Sequence, residues 1–442
     1  MSYFYLIEDS FLFVSFLFLL FGGIVLSFKT NFIQIRSIPL MFKLFFRSIF
    51  RKEVLSQHAI KPHRALFTAM ATSLGIGNII APVIAIGFGG PGALFGFLLA
   101  TIFGSATTFV EVAKAIKYRE RSEDGTISGG PMQYLRKGVH PAFAFIYASA
   151  ACIMLLSWSG RQINALSKLL SFYSIPMYFT GIVVSFTIIF ILIRGIKLIG
   201  RITEKLVPVM FLLYTGSMLF IILMNIEKLP SVLFLIYESA FSAKSLGGAF
   251  AGIGIHQALY WGLSESVFAN ESGVGTATIP HSMSATKSSV DQGLLSMISV
   301  YTNGFLCMLS GLAVLMTGVW NNSNIEFGIP MLLHIFKDNF AGVGVIILTI
   351  VVILFASGAM LGNSYNGSQC YLYLTSGRWI YFYYALIALF IFSCSIIDMK
   401  LLWSLGGFFI IPVAVPNVLG ILILVFRDKD FVKNLRHQSK EN

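Results

Sequence analysis

Thr72-Ser73-Leu74-Gly75-Ile76-Gly77-Asn78 and Phe268-Ala269-Asn270-Glu271-Ser272-Gly273-Val274-Gly275-Thr276 are the two stretches whose reading decides the fold. Both lie inside long apolar runs. Both set two glycines beside an asparagine and hydroxyls, where an unbroken helix facing lipid would carry none of these. A glycine costs a helix interior about 1 kcal/mol relative to alanine, so a pair favours a break. A break leaves amides bare on one half-helix and carbonyls bare on the other. Such backbone is tolerated at membrane depth only where it packs on protein or lines a cavity. Close packing of small residues between helices is the competing explanation for either stretch taken alone.

The composition around these stretches sets the class. Of 442 residues, 56% are apolar and 11% charged, about half the charged share of a soluble protein. The apolar residues come in runs. Val343 to Met360 carries no charge and is long enough to cross most of a hydrocarbon core of roughly 30 Å. These runs are too uniformly apolar for barrel strands, which alternate over about ten residues. An all-α polytopic membrane protein is therefore expected. The four cysteines (Cys152, Cys307, Cys370 and Cys394) fall in or beside apolar runs without paired spacing, which suits small buried side chains rather than a disulfide or zinc framework. The first run, Phe11 to Leu26, follows Glu8 and Asp9 rather than a basic region, unlike a cleaved signal peptide.

Eleven spans are expected, at 11–27, 65–87, 91–116, 141–171, 177–194, 206–226, 246–282, 291–318, 341–371, 379–397 and 402–426. Most lysines and arginines fall in loops of one parity and in the tail. Only Lys168, Lys228, Lys244, Lys337 and Lys400 fall on the other side. The positive-inside rule then puts the tail in the cytoplasm and Met1 outside. The net charge of +12 thus reports topology, not nucleic-acid affinity. Between the first two spans, Ile35, Leu40, Phe42, Leu44, Phe45 and Ile49 interleave with basic residues. That pattern suits either a helix in the cytoplasmic interface or an ordinary basic loop.

The two glycine-rich spans are the second and the seventh, five apart. That separation is expected if spans 2–6 and 7–11 are inverted repeats, with a site for a charged solute where the broken helices meet. The resulting organisation is a leading helix (1–28), a basic segment (29–64), a first repeat (65–226), a second repeat (246–426) and a tail (427–442).

Four blocks resemble the alanine or glycine:cation symporter family of bacteria and archaea. They are Gly75-Ile76-Gly77-Asn78-Ile79, Gly89-Gly90-Pro91-Gly92-Ala93, Glu123-Asp124-Gly125-Thr126 with Gly129-Gly130-Pro131-Met132, and Phe268 to Gly275. Glu111 ahead of Lys117-Tyr118-Arg119-Glu120 also fits. The resemblance implies a LeuT-type core of ten spans after one leading helix, in the cytoplasmic (inner) membrane. It implies import of a small neutral amino acid, alanine or glycine, with Na+, H+ being the alternative ion. It further implies that Asn78 and the amides around Gly75 and Gly77 receive the substrate carboxylate. Phe268, Ala269, Asn270 and Glu271 would face the ammonium group. Gln162 and Asn164 match polar residues near the family's pocket, and Ser73, Gly273 and Asn363 complete the substrate set. Thr72, Ser73 and Ser357 are the candidates for the cation. The chain departs from the family pattern at Ile76 (a threonine there), at Gly358 and Ala359 (a serine-threonine pair) and at Asn363 (a tryptophan). The lost hydroxyls are oxygen ligands that a hard cation prefers.

Glu111, Arg161, Glu265 and Glu271 are charges within spans, each costly in lipid unless paired. A structural role is the leading expectation for the first three, and for Glu271 a structural role and proton uptake stand level. No enzyme is expected: there is no HExxH, and Gly362-Asn363-Ser364-Tyr365-Asn366 fails the GxSxG elbow at its last place. No cofactor or protein partner is readable. A sensor of the same fold that binds without transporting is the remaining rival.

Overall fold

The protein is described by a computed structural model covering residues 2–50, 59–121, 123, 126–241, 255–397, 399–428 and 431. Its leading helix α1 (Ser2–Lys29) is followed by the short α2 (Ile33–Arg36) and by α3 (Ile38–Phe50). The second span comes in two halves, α4 (Pro62–Ser73) and α5 (Ile76–Gly89), bent by 45°. After α6 (Ala93–Tyr118) the chain makes a two-stranded antiparallel hairpin, β1 (Glu120–Arg121) with β2 (Ile127–Ser128), and a short helix α7 (Pro131–Gly138). Three long helices come next: α8 (Pro141–Ser171), α9 (Met177–Ile193) and α10 (Ile196–Met224). The short α11 (Leu229–Phe241) follows them.

The second broken region is α12 (Ile255–Asn270) and the short α13 (Thr278–Ser282). The remaining helices are α14 (Ser289–Thr317), α15 (Ile329–Phe340), α16 (Gly344–Leu374), α17 (Ile380–Cys394) and α18 (Met399–Arg427).

Six helices among the described residues are long and apolar enough to cross a membrane, and the bent pair α4–α5 makes a seventh. Residues 14–29, 177–193 and 380–394 form shorter apolar helices. The expected seventh span begins at 246, and 246–254 lie outside the described residues, as do Asp124, Gly125 and 432–442 of the tail. The helix expected at 206–226 starts ten residues earlier, at Ile196. Its basic first turns are held because Glu204 pairs with Arg64 and His63, each at 2.8 Å. In the 29–64 segment the structure takes the helical form of the two expected, with α3 exposing Phe42, Phe46 and Phe50 along one face.

The helices close around α12, which packs against α5 and α6. The contact is tight: a Cβ on Gly262 would run into the Ala93 carbonyl oxygen. Such backbone approach is what small residues allow between membrane helices. At the basic end of the bundle, Lys114 and Lys117 converge on Asp428 at 2.8 and 2.5 Å. Burial by itself would raise the Asp428 carboxyl, but the two lysines outweigh it and bring the pKa to about 2. The knot that ties α6 to the end of α18 therefore stays charged.

Candidate functional site

The first break is short. Helix α4 ends with the Leu74 amide on the Met70 carbonyl (2.7 Å), Gly75 is extended (φ −115°, ψ −172°), and α5 restarts at Ile76. Two of the bare amides find side chains. Gly75 N–H donates to Asn78 Oδ1, and Ile76 N–H to Gln162 Oε1, both at 2.9 Å. Asn78 also donates through Nδ2 to the Ala269 carbonyl at 3.1 Å, so it fastens the first break to the second broken helix. A Cβ on Gly75 would come 2.6 Å from Gln162 Nε2 and 3.1 Å from Ala359 Cβ, so α8 and α16 both press on this point.

The second break is longer. Glu271, Gly273 and Gly275 take positive φ values of 54°, 86° and 82°. That backbone is strained for most side chains and free for glycine, which explains the glycines of the motif. The freed carbonyls are largely claimed. Gly273 O accepts from Asn417 Nδ2 (2.8 Å), Val274 O from the Tyr147 hydroxyl (2.9 Å) and Thr276 O from Asn366 Nδ2 (3.2 Å). The scaffold helices α18, α8 and α16 thus grip the unwound strand at three successive points. Glu111 sits behind the grip, buried, and accepts from Asn417 Nδ2.

A cavity of about 60 Å³ opens between the two breaks. It brings together most of the residues expected from sequence: Thr72, Ser73, Gly75, Gly77, Asn78, Gln162, Phe268, Glu271 and Asn363. The rest lie elsewhere. Ala269 contributes its carbonyl to Asn78 and Asn303. Asn270 faces a second, smaller hollow beside Ser266 and donates to Thr101 and Ser266. Gly273 contacts Asn417, and Ser357, half-buried, does not line the cavity. Asn164 lies two residues past Gln162, hence on another face of α8, and donates to the Cys394 and Ile397 carbonyls at 2.9 and 2.6 Å. His281 is buried with Nδ1 2.7 Å from Gln292.

The cavity is more charged than expected. Arg161 and Glu265 join Glu271 on its wall. The Arg161 guanidinium lies 5.7 Å from the Trp158 ring centroid and 5.3 Å from that of Phe268. Trp158, also on the wall, was missed. A signal for it existed: Trp158, Arg161, Gln162 and Ala165 follow the i, i+3, i+4, i+7 spacing of one helix face, and all four line the cavity. Two departures from the family pattern also sit here. Ile76 and Asn363 line the cavity, while Ala359 abuts Gly75.

The profile of the sodium:alanine symporter family matches residues 4–442. The sodium/alanine symporter AgcS of Methanococcus maripaludis is 32% identical over 91% of this chain and 89% of its own. The probable sodium/glutamine symporter GlnT of Bacillus subtilis is 28% identical, over 91% and 83% respectively. Among solved structures, a mutant of the manganese transporter of Eremococcus coleocola superposes with a TM-score of 0.55 over 77% of this chain and 72% of that one. At 11% identity that likeness speaks to fold alone.

Proposed function

The chain belongs to the sodium:alanine symporter family, and from that premise we propose that it imports a small neutral amino acid, alanine or glycine, together with Na+. Cation-coupled amino-acid transport is the family's activity, and the chain is a multi-pass membrane transporter, not an enzyme. The observation that carries the finer reading is the small charged cavity where the two broken helices meet.

The N-terminus of α5 points first-turn amides and the positive end of a helix dipole toward this cavity, which favours a carboxylate. Gly77 is the cavity-lining residue whose first-turn amide suits that role, since the Gly75 and Ile76 amides are already bonded within the protein. Glu265, Glu271 and the Phe268 ring supply the complementary surface for an ammonium group. The hydroxyls of Thr72 and Ser73, at the carbonyl end of α4, are the hard oxygen donors available to Na+, with Ser357 the nearest hydroxyl on α16 to the Gly358 and Ala359 positions. Residues 65–226 and 246–426 are taken as inverted repeats, each opening with a broken helix.

Proton coupling is the second reading. It is favoured by Gly358 and Ala359, which bring no hydroxyls, and by two carboxylates on the cavity wall. The test is uptake of radiolabelled alanine and glycine into proteoliposomes with Na+ and H+ gradients imposed separately. Accumulation that follows the Na+ gradient is expected. A response to the H+ gradient alone would replace Na+ with H+, binding without accumulation would mark a sensor, and neither binding nor uptake would end the proposal.

A further inference from the structure

Asn363 is a buried amide on the cavity wall. It lies on α16, 2% exposed, and its Oδ1 has no hydrogen-bond partner among the described residues. Asn366, one turn on, also leaves its Oδ1 without a partner among the described residues, but it lies off the cavity and donates to the Thr276 carbonyl, while Asn78 on α5 uses both ends of its amide. Buried side-chain polar atoms in proteins are mostly paired, and leaving one unpaired is costly. Glu265 Oε2 is the other unpartnered acceptor among residues lining this cavity.

The two acceptors ask for two donors from one small ligand. An α-ammonium group supplies the donor for Glu265. The ligand must then carry a second, short polar group for Asn363, whose amide both accepts and donates. A hydroxyl does both as well, and a void of about 60 Å³ leaves room for a short side chain only. Alanine in the same place would leave the amide against a methyl group, unpaired. Resting on the transport reading above, we infer that Asn363 is a specificity-determining residue that pairs with a side-chain hydroxyl, so that serine is preferred to a side chain of like size without one.

Serine and 2-aminobutyrate are close in size and differ in a hydroxyl for a methyl, so their contest isolates the hydrogen bond from volume. In proteoliposomes containing the full-length protein, each would compete with radiolabelled alanine for uptake. Serine is expected to compete roughly ten-fold or more tightly than 2-aminobutyrate, the size of effect that follows from leaving one buried polar group unpaired. In Asn363→Leu, similar in volume but unable to hydrogen-bond, that preference is expected to vanish. Equal competition by the two in the wild type overturns the inference even if the variant does not fold, and so does a preference that survives in Asn363→Leu. Alanine uptake without serine preference removes this subsite and leaves the transport reading standing. No uptake of any amino acid removes both.

Discussion

Asn78 makes more contacts across the site than any role at a substrate carboxylate requires. Its carbonyl caps the Gly75 amide and its amino group holds the Ala269 carbonyl, so one side chain sets the spacing of both broken helices. Asn78→Ala is therefore expected to lower amino-acid uptake by at least about ten-fold, since small displacements of positioning groups carry penalties of that order. Uptake per folded molecule is the measurement, with thermal unfolding in detergent as the control for stability. Full uptake by the variant would sink the assignment. The importance of Asn78 was legible in its neighbours, two glycines in an apolar run. Its internal bonding was not, because nothing local says which of two broken helices an amide will face. Trp158 and Glu265 show the same limit. Only the packing of α8 and α12 onto the breaks turns them inward.

At the scale of elements, the two breaks differ in what holds them. The first is held by side chains on α5 and α8 and the second by Asn417, Tyr147 and Asn366 on three surrounding helices. Asn417 is the hub of the second grip: it donates to Gly273 O and Glu111 and accepts from the Tyr134 hydroxyl. Asn417→Leu is expected to destabilise the protein by about 2–3 kcal/mol, because it removes the side-chain donor of the buried Glu111 carboxyl and leaves the Gly273 carbonyl without its partner. Glu111→Gln added to it should cost less than the sum of the two single changes, since the residues share one network. A double-mutant cycle on thermal unfolding reads this directly, and strict additivity would show that the two do not act together. Glu111 was readable as a charge needing a partner. Asn417 gave no such signal, because an asparagine between apolar residues near Pro412 and Pro416 reads equally as a helix irregularity.

Across the whole molecule, lysine and arginine gather at one end of the bundle, where His63, Arg64, Lys114, Lys117, Arg136 and Lys137 hold Glu204, Asp428 and Glu120. By the positive-inside rule this end is proposed to face the cytoplasm, with Met1 outside. All four cysteines are buried, so a cysteine introduced as Lys440→Cys can be probed against a low background. Labelling by a membrane-impermeant maleimide is expected in inverted vesicles and not in right-side-out ones. The reverse pattern would overturn the orientation.

The amino-acid sequence alone determined that this chain crosses a membrane as helices, and that two of those helices break. Both follow from local energetics: apolar runs without charge belong in lipid, and paired glycines interrupt a helix wherever they fall. Tertiary structure decided what the breaks became. The cost of bare peptide groups in a membrane is settled by whichever polar side chains the fold brings alongside, and those come from residues distant in the chain. Gln162 and Asn78 took the first amides, and Asn417, Tyr147 and Asn366 took the later carbonyls. The cavity is the space among the groups left over, and its charged wall of Arg161, Glu265 and Glu271 exists only once α8 and α12 are packed together.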